Sequence, residues 1–218
     1  KVPTQEWFDP GNKFYITSNT ILTDDEFDWT QPFEQGPQDI GFESSLISLG
    51  GIQEYPYTFF RDGKAEQLSN VTFWNKGTYL MPEGSSIIPT DGDGASNWDS
   101  TAYNMILVNE TARFLDDHEL NRPNDPFFAY VALGSVHIPH SPPISYLDQS
   151  PVADEYPTAH LDLLGEMDKV VGSLVQQLED RNLLNDTIIV FASDNGGLGA
   201  KYSASSGHNS HGPLRDAK

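Results

Sequence analysis

Two short apolar runs with an amphipathic segment between them constrain the fold of this chain more than any other feature. Residues 127–133 read FFAYVAL and residues 187–192 read TIIVFA, and runs of this length are typical of strands covered on both faces of a parallel sheet. The apolar residues between them recur at steps of three and four: Leu164, Met167, Val171, Leu174 and Leu178. Such a stripe is typical of a helix that faces a core on one side. Because strand, helix and strand in this order form a right-handed crossover unit, the sequence predicts an α/β fold with a mostly parallel sheet and helices on both faces.

The rest of the chain predicts a second helix and a loop-rich N-terminal stretch. Asp99 or Ser100 can cap this helix, and its apolar positions are Tyr103, Ile106, Leu107, Phe114 and Leu115. Residues 1–60 are rich in Gly, Pro, aromatic and acidic residues without a sustained period, which predicts ordered loops between short extended pieces. With 218 residues, of which 37% are hydrophobic, the chain is long enough for one domain with a buried core.

Polar clusters follow both predicted strands. Residues 136–140 read VHIPH and residues 193–196 read SDNG, and ligands of open α/β sheets bind outside the carboxyl ends of the strands. Asp194 and Asn195 offer hard oxygen donors that suit calcium or magnesium. The same Asp-Asn-Gly sequence also forms turns with no further role. From the residues alone, both a metal site and a plain turn stay open.

The histidines after the first run allow more than one interpretation. His137 is either a hydrogen-bonded structural residue or a catalyst. His140 lies three positions further on and could form a zinc-binding pair with it. However, Pro139 and the prolines at 142–143 exclude a helical presentation of that pair.

The net charge of the chain argues against some classes of binding partner. A formal net charge of −20 argues against nucleic-acid binding and against docking on anionic lipid. Because this field repels an anionic substrate, a site for one must be locally positive through a metal and a few cations. Lys218 and Arg215 form the only cationic pair in the last dozen residues, and they are either such cations or part of a solvated terminus. No run of about 18 apolar residues exists in this stretch, so none is predicted to span a membrane.

Taken together, the clusters match an ordered set of motifs. Five segments in this order resemble the motifs of type I sulfatases, which belong to the alkaline-phosphatase-like superfamily: residues 126–130 (PFFAY), 137–139 (HIP), 167–172 (MDKVVG), 193–196 (SDNG) and 212–218 (GPLRDAK). The upstream segment 37–42 (PQDIGF) is similar to the Pro-x-x-x-Gly-Phe segment of that family. The resemblance is therefore expected to cover the whole chain.

The resemblance implies calcium-dependent hydrolysis of sulfate esters and assigns roles to individual residues. It implies that Asp194 and Asn195 bind calcium. It implies that His137 contacts the sulfate and protonates the leaving alcohol, and that Lys218 contacts the sulfate. The chemistry agrees, because a cation stabilises charge on the sulfuryl oxygens while a general acid neutralises the departing oxygen.

Family analogy also suggests the substrate class. We expect a sulfated small molecule or polysaccharide, such as a glycosaminoglycan. The loops that contain His140 and His211 are expected to line the entrance where the alcohol portion binds, and Arg215 is a further candidate for substrate binding.

The sequence departs from the family at the nucleophile. Members use a formylglycine made from Cys or Ser in a Cys/Ser-x-Pro-x-Arg motif near the N-terminus, and the 218 residues contain neither that motif nor any cysteine. The N-terminal paired aspartates and the Gly-Lys-x-His-x-Gly segment are also missing. We therefore expect residues 1–218 to be the central part of a single sulfatase catalytic domain, without its N-terminal nucleophile region and its C-terminal region, and inactive as given.

Two other functions remain open. A phosphatase or phosphodiesterase of the same superfamily is the nearest rival, but such relatives usually read Asp-His-Gly where Asn195 offers an amide oxygen, which favours calcium. A non-catalytic, sulfatase-like carbohydrate-binding protein would also fit the absent nucleophile. Acceptor sequons at Asn70, Asn109 and Asn185 predict a glycoprotein that is secreted, lysosomal or periplasmic.

Overall fold

The structure, a computed structural model, describes most of the chain in two compact units. The described residues are 31–32, 36–66, 70–75, 88–197, 207 and 209. The first unit comprises residues 1–79 and 88–99, and the second comprises residues 80–87 and 100–218.

The first unit contains short antiparallel strands and a 3-10 helix at Pro37–Ile40. The strands are β1 (Leu46–Ile47), β2 (Phe60–Arg61), β3 (Lys64–Ala65), β4 (Val71–Trp74) and β5 (Gly92–Ala95). One sheet has the order β1-β2-β3, and β4 pairs with β5 in a second sheet. Within its described part, the region up to residue 60 therefore has the short extended pieces that the sequence predicts.

Tyr57 is the centre of the first unit's core. Its ring is fully buried and lies 5.7 Å from the ring of Trp98. Its hydroxyl donates to the Thr90 carbonyl at 2.7 Å, because a buried phenol needs a hydrogen-bond partner. Gly94 faces it so closely that an added Cβ would lie 2.4 Å from the Tyr57 Cβ. Because Gly94 has no side chain, β5 can pack directly against Tyr57.

Two helices form the framework of the second unit. α1 spans Tyr103–Asn121 and α2 spans Ala159–Asp180, with 3-10 turns at Ser100–Ala102 and Leu184–Asp186. Both helices confirm the predictions from periodicity. α2 begins after Thr158, whose side chain accepts a hydrogen bond from the Leu161 amide at 3.3 Å, as an N-cap does. The predicted cap of α1 is wrong: Ala102 occupies the N-cap position without a side-chain bond, because the 3-10 turn places Asp99 and Ser100 before it.

The faces of α1 and α2 that meet build the core of the second unit. Val108 of α1 and Val170 of α2 are buried with Tyr146 and Val152. The stripe predicted on α2 is only half-buried, and residues beside it are more deeply buried, among them Leu163, Glu166 and Val170. The buried face is displaced because it includes a carboxylate, Glu166, which a hydrophobic pattern assigns to solvent.

The two predicted buried strands are absent as strands. Neither residues 127–133 nor residues 187–192 take part in a β-ladder among the described residues. Phe128 is 73% exposed and Ile188 is 92% exposed, whereas strands of a parallel sheet are covered on both faces. A strand exists through hydrogen bonds to a neighbouring strand, and the described residues supply no neighbour to either run. Among its described residues, the second unit thus contains the helices of an α/β domain but no sheet that includes these two runs.

The first run is nevertheless fixed at both ends. The ring of Phe127 lies 5.9 Å from that of Phe114 and 5.2 Å from that of His118, both on α1. Leu133 packs against the core between the helices. The segment that follows Leu133 therefore starts from a defined position.

No helix in the described part of the chain has the apolar stretch needed to cross a bilayer.

We expect Leu115→Ala to lower the free energy of unfolding by about 2–5 kcal/mol, the usual cost of removing a buried leucine side chain. Leu115 is 1% exposed. Leu120 on the same helix is 80% exposed, so Leu120→Ala is the matched control and should change stability by less than about 0.5 kcal/mol. Denaturant unfolding followed by circular dichroism measures both, and equal losses would contradict the position of α1.

Candidate active site around His137

The loop of residues 134–138, here called the His137 loop, carries the most specific candidate for chemistry. The His137 side chain is half-buried. Its backbone amide donates to the Gly134 carbonyl at 2.9 Å, and its Nδ1 lies 2.7 Å from the Ile138 carbonyl oxygen. Because a carbonyl only accepts, Nδ1 carries the hydrogen in this contact. Nε2 is then the nitrogen that remains for a substrate.

Two buried polar residues on the helices hold the start of this loop. Asn104 of α1 accepts from the Gly134 amide through Oδ1 at 2.9 Å and donates through Nδ2 to Ser135 Oγ at 2.6 Å. Glu166 of α2 accepts from Ser135 Oγ at 3.1 Å and from Asn104 Nδ2 at 3.0 Å, both at Oε2. Burial raises the pKa of the Glu166 carboxyl, and the hydrogen bonds from Asn104 and Ser135 oppose that shift.

Sequence reasoning missed this network. Asn104 and Glu166 lie within helical patterns in which polar residues are expected to face water. The signal that could have identified them is their position: Asn104 directly follows an apolar position of α1, and Glu166 stands between Leu163 and Val170 at helical spacing. A pattern that scores only apolar residues discards this information.

His140 lies in a different environment from His137. Its ring is 5.0 Å from that of His160, edge to face. Burial, together with the positive charge that His160 and His137 carry when protonated, lowers the pKa of His140 to about 4. His140 is therefore neutral at neutral pH and can offer hydrogen bonds to a substrate, but no positive charge.

Asp194 and Asn195 lie in an exposed bend after residues 187–192. Ser193 Oγ donates to the Asn195 carbonyl at 2.6 Å, and Asn195 Nδ2 donates to the Gly196 carbonyl at 3.2 Å. The amide nitrogen is thus used locally, and the side-chain oxygen is the atom that a cation would bind. A carboxylate beside an amide oxygen fits calcium, which takes six to eight oxygen ligands.

These two residues supply only part of such a site. Within the part of the chain that the structure describes, no three His, Asp or Glu side chains are placed together to hold a metal ion. The three remaining predicted site residues, His211, Arg215 and Lys218, lie outside the described residues. The structure therefore brings the His137 loop and its supports together, and all of the site-residue assignments, His137 included, stay predictions.

The comparisons with known proteins agree on one family. The sulfatase family model matches residues 39–215. An N-acetylgalactosamine-6-O-sulfatase of Bacteroides thetaiotaomicron is 25% identical over 187 residues, which cover 73% of this chain and 35% of that protein. Human N-sulphoglucosamine sulphohydrolase is 39% identical over 51 residues, 23% of this chain and 10% of that protein. Human arylsulfatase D is 28% identical over 92 residues, 42% of this chain and 14% of that protein.

A solved structure supports the fold. It is a sulfatase from work on glycosaminoglycan metabolism by Bacteroides thetaiotaomicron, with a TM-score of 0.68, 20% identity, and coverage of 86% of this chain and 44% of that one. This likeness confirms the predicted fold class, an incomplete α/β domain of the sulfatase type. The chain spans about a third of the length of the first curated relative. The family model covers most of the chain, so this protein belongs to the sulfatase family.

Proposed function

We propose that the full-length protein containing this chain is a calcium-dependent sulfuric ester hydrolase. The observation that carries this proposal is the family match over residues 39–215, which includes His137, Asp194 and Asn195. Because the chain spans about a third of its first curated relative, the nucleophile, a formylglycine, is expected in a region outside these 218 residues. The chain by itself is expected to be inactive.

His137 is the proposed general acid. With Nδ1 donating to the Ile138 carbonyl, His137 as general acid would carry its proton on Nε2 and present it to the ester oxygen, whose bond to sulfur breaks as the formylglycine nucleophile bonds to that sulfur. The proton moves to that oxygen, so the product leaves as an alcohol rather than an alkoxide. Lys218 is proposed to contact the sulfate as a fixed cation.

Asp194 and Asn195 are the proposed calcium ligands from this chain. Calcium, when bound, stabilises negative charge on the sulfuryl oxygens. The two side chains contribute a carboxylate and an amide oxygen, which favours calcium over the zinc or manganese of related phosphatases. The net charge of −20 makes such local positive charge necessary for an anionic substrate.

A sulfated carbohydrate is the proposed substrate. Two relatives are named for sulfated amino sugars, N-acetylgalactosamine-6-O-sulfatase and N-sulphoglucosamine sulphohydrolase. Neutral His140, with His211 and Arg215, is proposed to contact the alcohol portion. Three sequon asparagines, Asn70, Asn109 and Asn185, are exposed, which supports a glycoprotein that is secreted, lysosomal or periplasmic.

We expect the full-length protein to hydrolyse 4-nitrophenyl sulfate and a sulfated disaccharide, to lose activity on chelation, and to regain it with calcium. Metal analysis and activity on a phosphate diester are measured alongside. Restoration by zinc or manganese, with diester cleavage, would favour the phosphodiesterase instead. A full-length protein without a formylglycine motif, inactive but binding sulfated sugar, would favour the non-catalytic alternative.

A further inference from the structure

We infer that Glu166 is a positioning residue that holds the His137 loop in the orientation needed for proton transfer, acting through Ser135 and Asn104. The inference rests on the proposed role of His137 as general acid. It assigns a function to a carboxylate that neither the family motifs nor the sequence pattern singled out.

Glu166 occupies a position that is costly for a carboxyl group. The residue is 1% exposed on the buried face of α2, although Asp168, two positions on, is exposed. Burying a carboxyl group is unfavourable unless hydrogen bonds compensate it. Both hydrogen bonds to Glu166 reach Oε2, and its buried Oε1 has no hydrogen-bond partner within the described structure. A core position that only needed filling would be better served by an apolar side chain of similar volume.

The Glu166 carboxylate holds the start of the His137 loop through Ser135 and Asn104. Ser135, whose hydroxyl donates to Glu166 at 3.1 Å, lies two residues before His137. Asn104, whose amide group donates to Glu166 at 3.0 Å, accepts from the Gly134 amide at 2.9 Å. The Gly134 carbonyl in turn accepts from the His137 amide at 2.9 Å. Glu166 therefore connects both helices to the backbone of the residue that bears the imidazole.

The His137 loop depends on this connection for its position. The His137 loop forms no helix or strand, so its backbone position depends on such side-chain bonds. A general acid must lie within hydrogen-bond reach of the leaving oxygen, and a displacement of about 1 Å can cost on the order of 10²-fold in rate. Losing the Glu166 acceptor should therefore affect proton transfer before it affects sulfate binding.

The experiment uses full-length enzyme variants and a series of aryl sulfates whose leaving phenols differ in pKa. Esters of acidic phenols need little protonation, whereas esters of weakly acidic phenols depend on it. We expect Glu166→Leu to lower kcat by about 10- to 100-fold for the poorest leaving groups and by less than about threefold for the best. The dependence of kcat on leaving-group pKa should steepen, as it should in His137→Ala.

Matched variants separate positioning from stability. Glu166→Gln keeps an acceptor oxygen for both donors and should stay within about threefold of the wild type. Val170→Ala changes a fully buried residue one turn further along α2 and should lower the melting temperature without changing the leaving-group dependence. Ser135→Ala removes one link and should steepen the dependence by an intermediate amount, which also decides the matter if Glu166→Leu does not fold.

The outcomes distinguish a failure of the positioning role of Glu166 from a failure of the proposed role of His137. If His137→Ala steepens the dependence while Glu166→Leu and Ser135→Ala do not, the positioning role is wrong and the proposed function stands. If His137→Ala itself leaves the dependence unchanged, its role as general acid is wrong and the role of Glu166 is lost with it.

Discussion

Replacing His137 by Ala in the full-length enzyme should lower kcat for sulfate esters of sugar hydroxyls by about 10²- to 10⁴-fold, the usual contribution of a general acid. A sugar alkoxide is a poor leaving group and cannot depart unprotonated at a useful rate. The hydrogen bond from Nδ1 to the Ile138 carbonyl leaves Nε2 as the nitrogen for the proposed proton transfer. Steady-state kinetics on a sulfated disaccharide measures the loss, and the bound calcium should be unchanged.

His140→Gln is the matched control for this loss. Both histidines lie in one short segment, but burial holds the pKa of His140 at about 4. A neutral imidazole at neutral pH is a poor proton donor, so His140→Gln should affect KM more than kcat. An equal loss of kcat in the two variants would contradict the assignment of the acid to His137.

The helices of this chain could be predicted because their signal is local. Residues 159–180 and 103–121 repeat apolar positions at helical spacing, and a helix satisfies its own backbone hydrogen bonds. Residues 187–192 have a composition that is equally typical of a buried strand, yet they form no β-ladder in the described structure. A strand depends on partners elsewhere in the sheet, which no local pattern supplies.

The candidate site shows the same difference between what a local sequence pattern contains and what depends on residues far apart in the chain. The family motif marks His137 and the Asp194–Asn195 pair as candidates by residue type, and the sequence needs no geometry for that. The support of the His137 loop by Glu166 could not be predicted, because its hydrogen bonds join Glu166 to Ser135, 31 positions away, and to Asn104, 62 positions away. A charged residue on the buried face of a helix contradicts the amphipathic pattern, and such contradictions are expected where function constrains the fold.

Asp194→Ala in the full-length enzyme should lower calcium affinity and reduce turnover of 4-nitrophenyl sulfate by at least about 10²-fold. A cation on the sulfuryl oxygens contributes several kcal/mol to the transition state, and each 1.36 kcal/mol corresponds to about tenfold in rate. Removing the carboxylate takes away the proposed charged calcium ligand of the exposed bend, so excess calcium should restore part of the activity. Metal analysis and a calcium titration of activity measure both effects.

Two companion variants test the identity of the site. Asp186→Ala removes an exposed carboxylate just before residues 187–192 and should change neither calcium content nor turnover. Asn195→His replaces an amide oxygen by an imidazole nitrogen, which suits zinc or manganese better than calcium. It should lower calcium-dependent turnover and shift the bound metal towards zinc. Unchanged activity and metal preference in Asn195→His, with normal calcium binding in Asp194→Ala, would show that calcium is held elsewhere and that Asp-Asn-Gly serves here only as a turn.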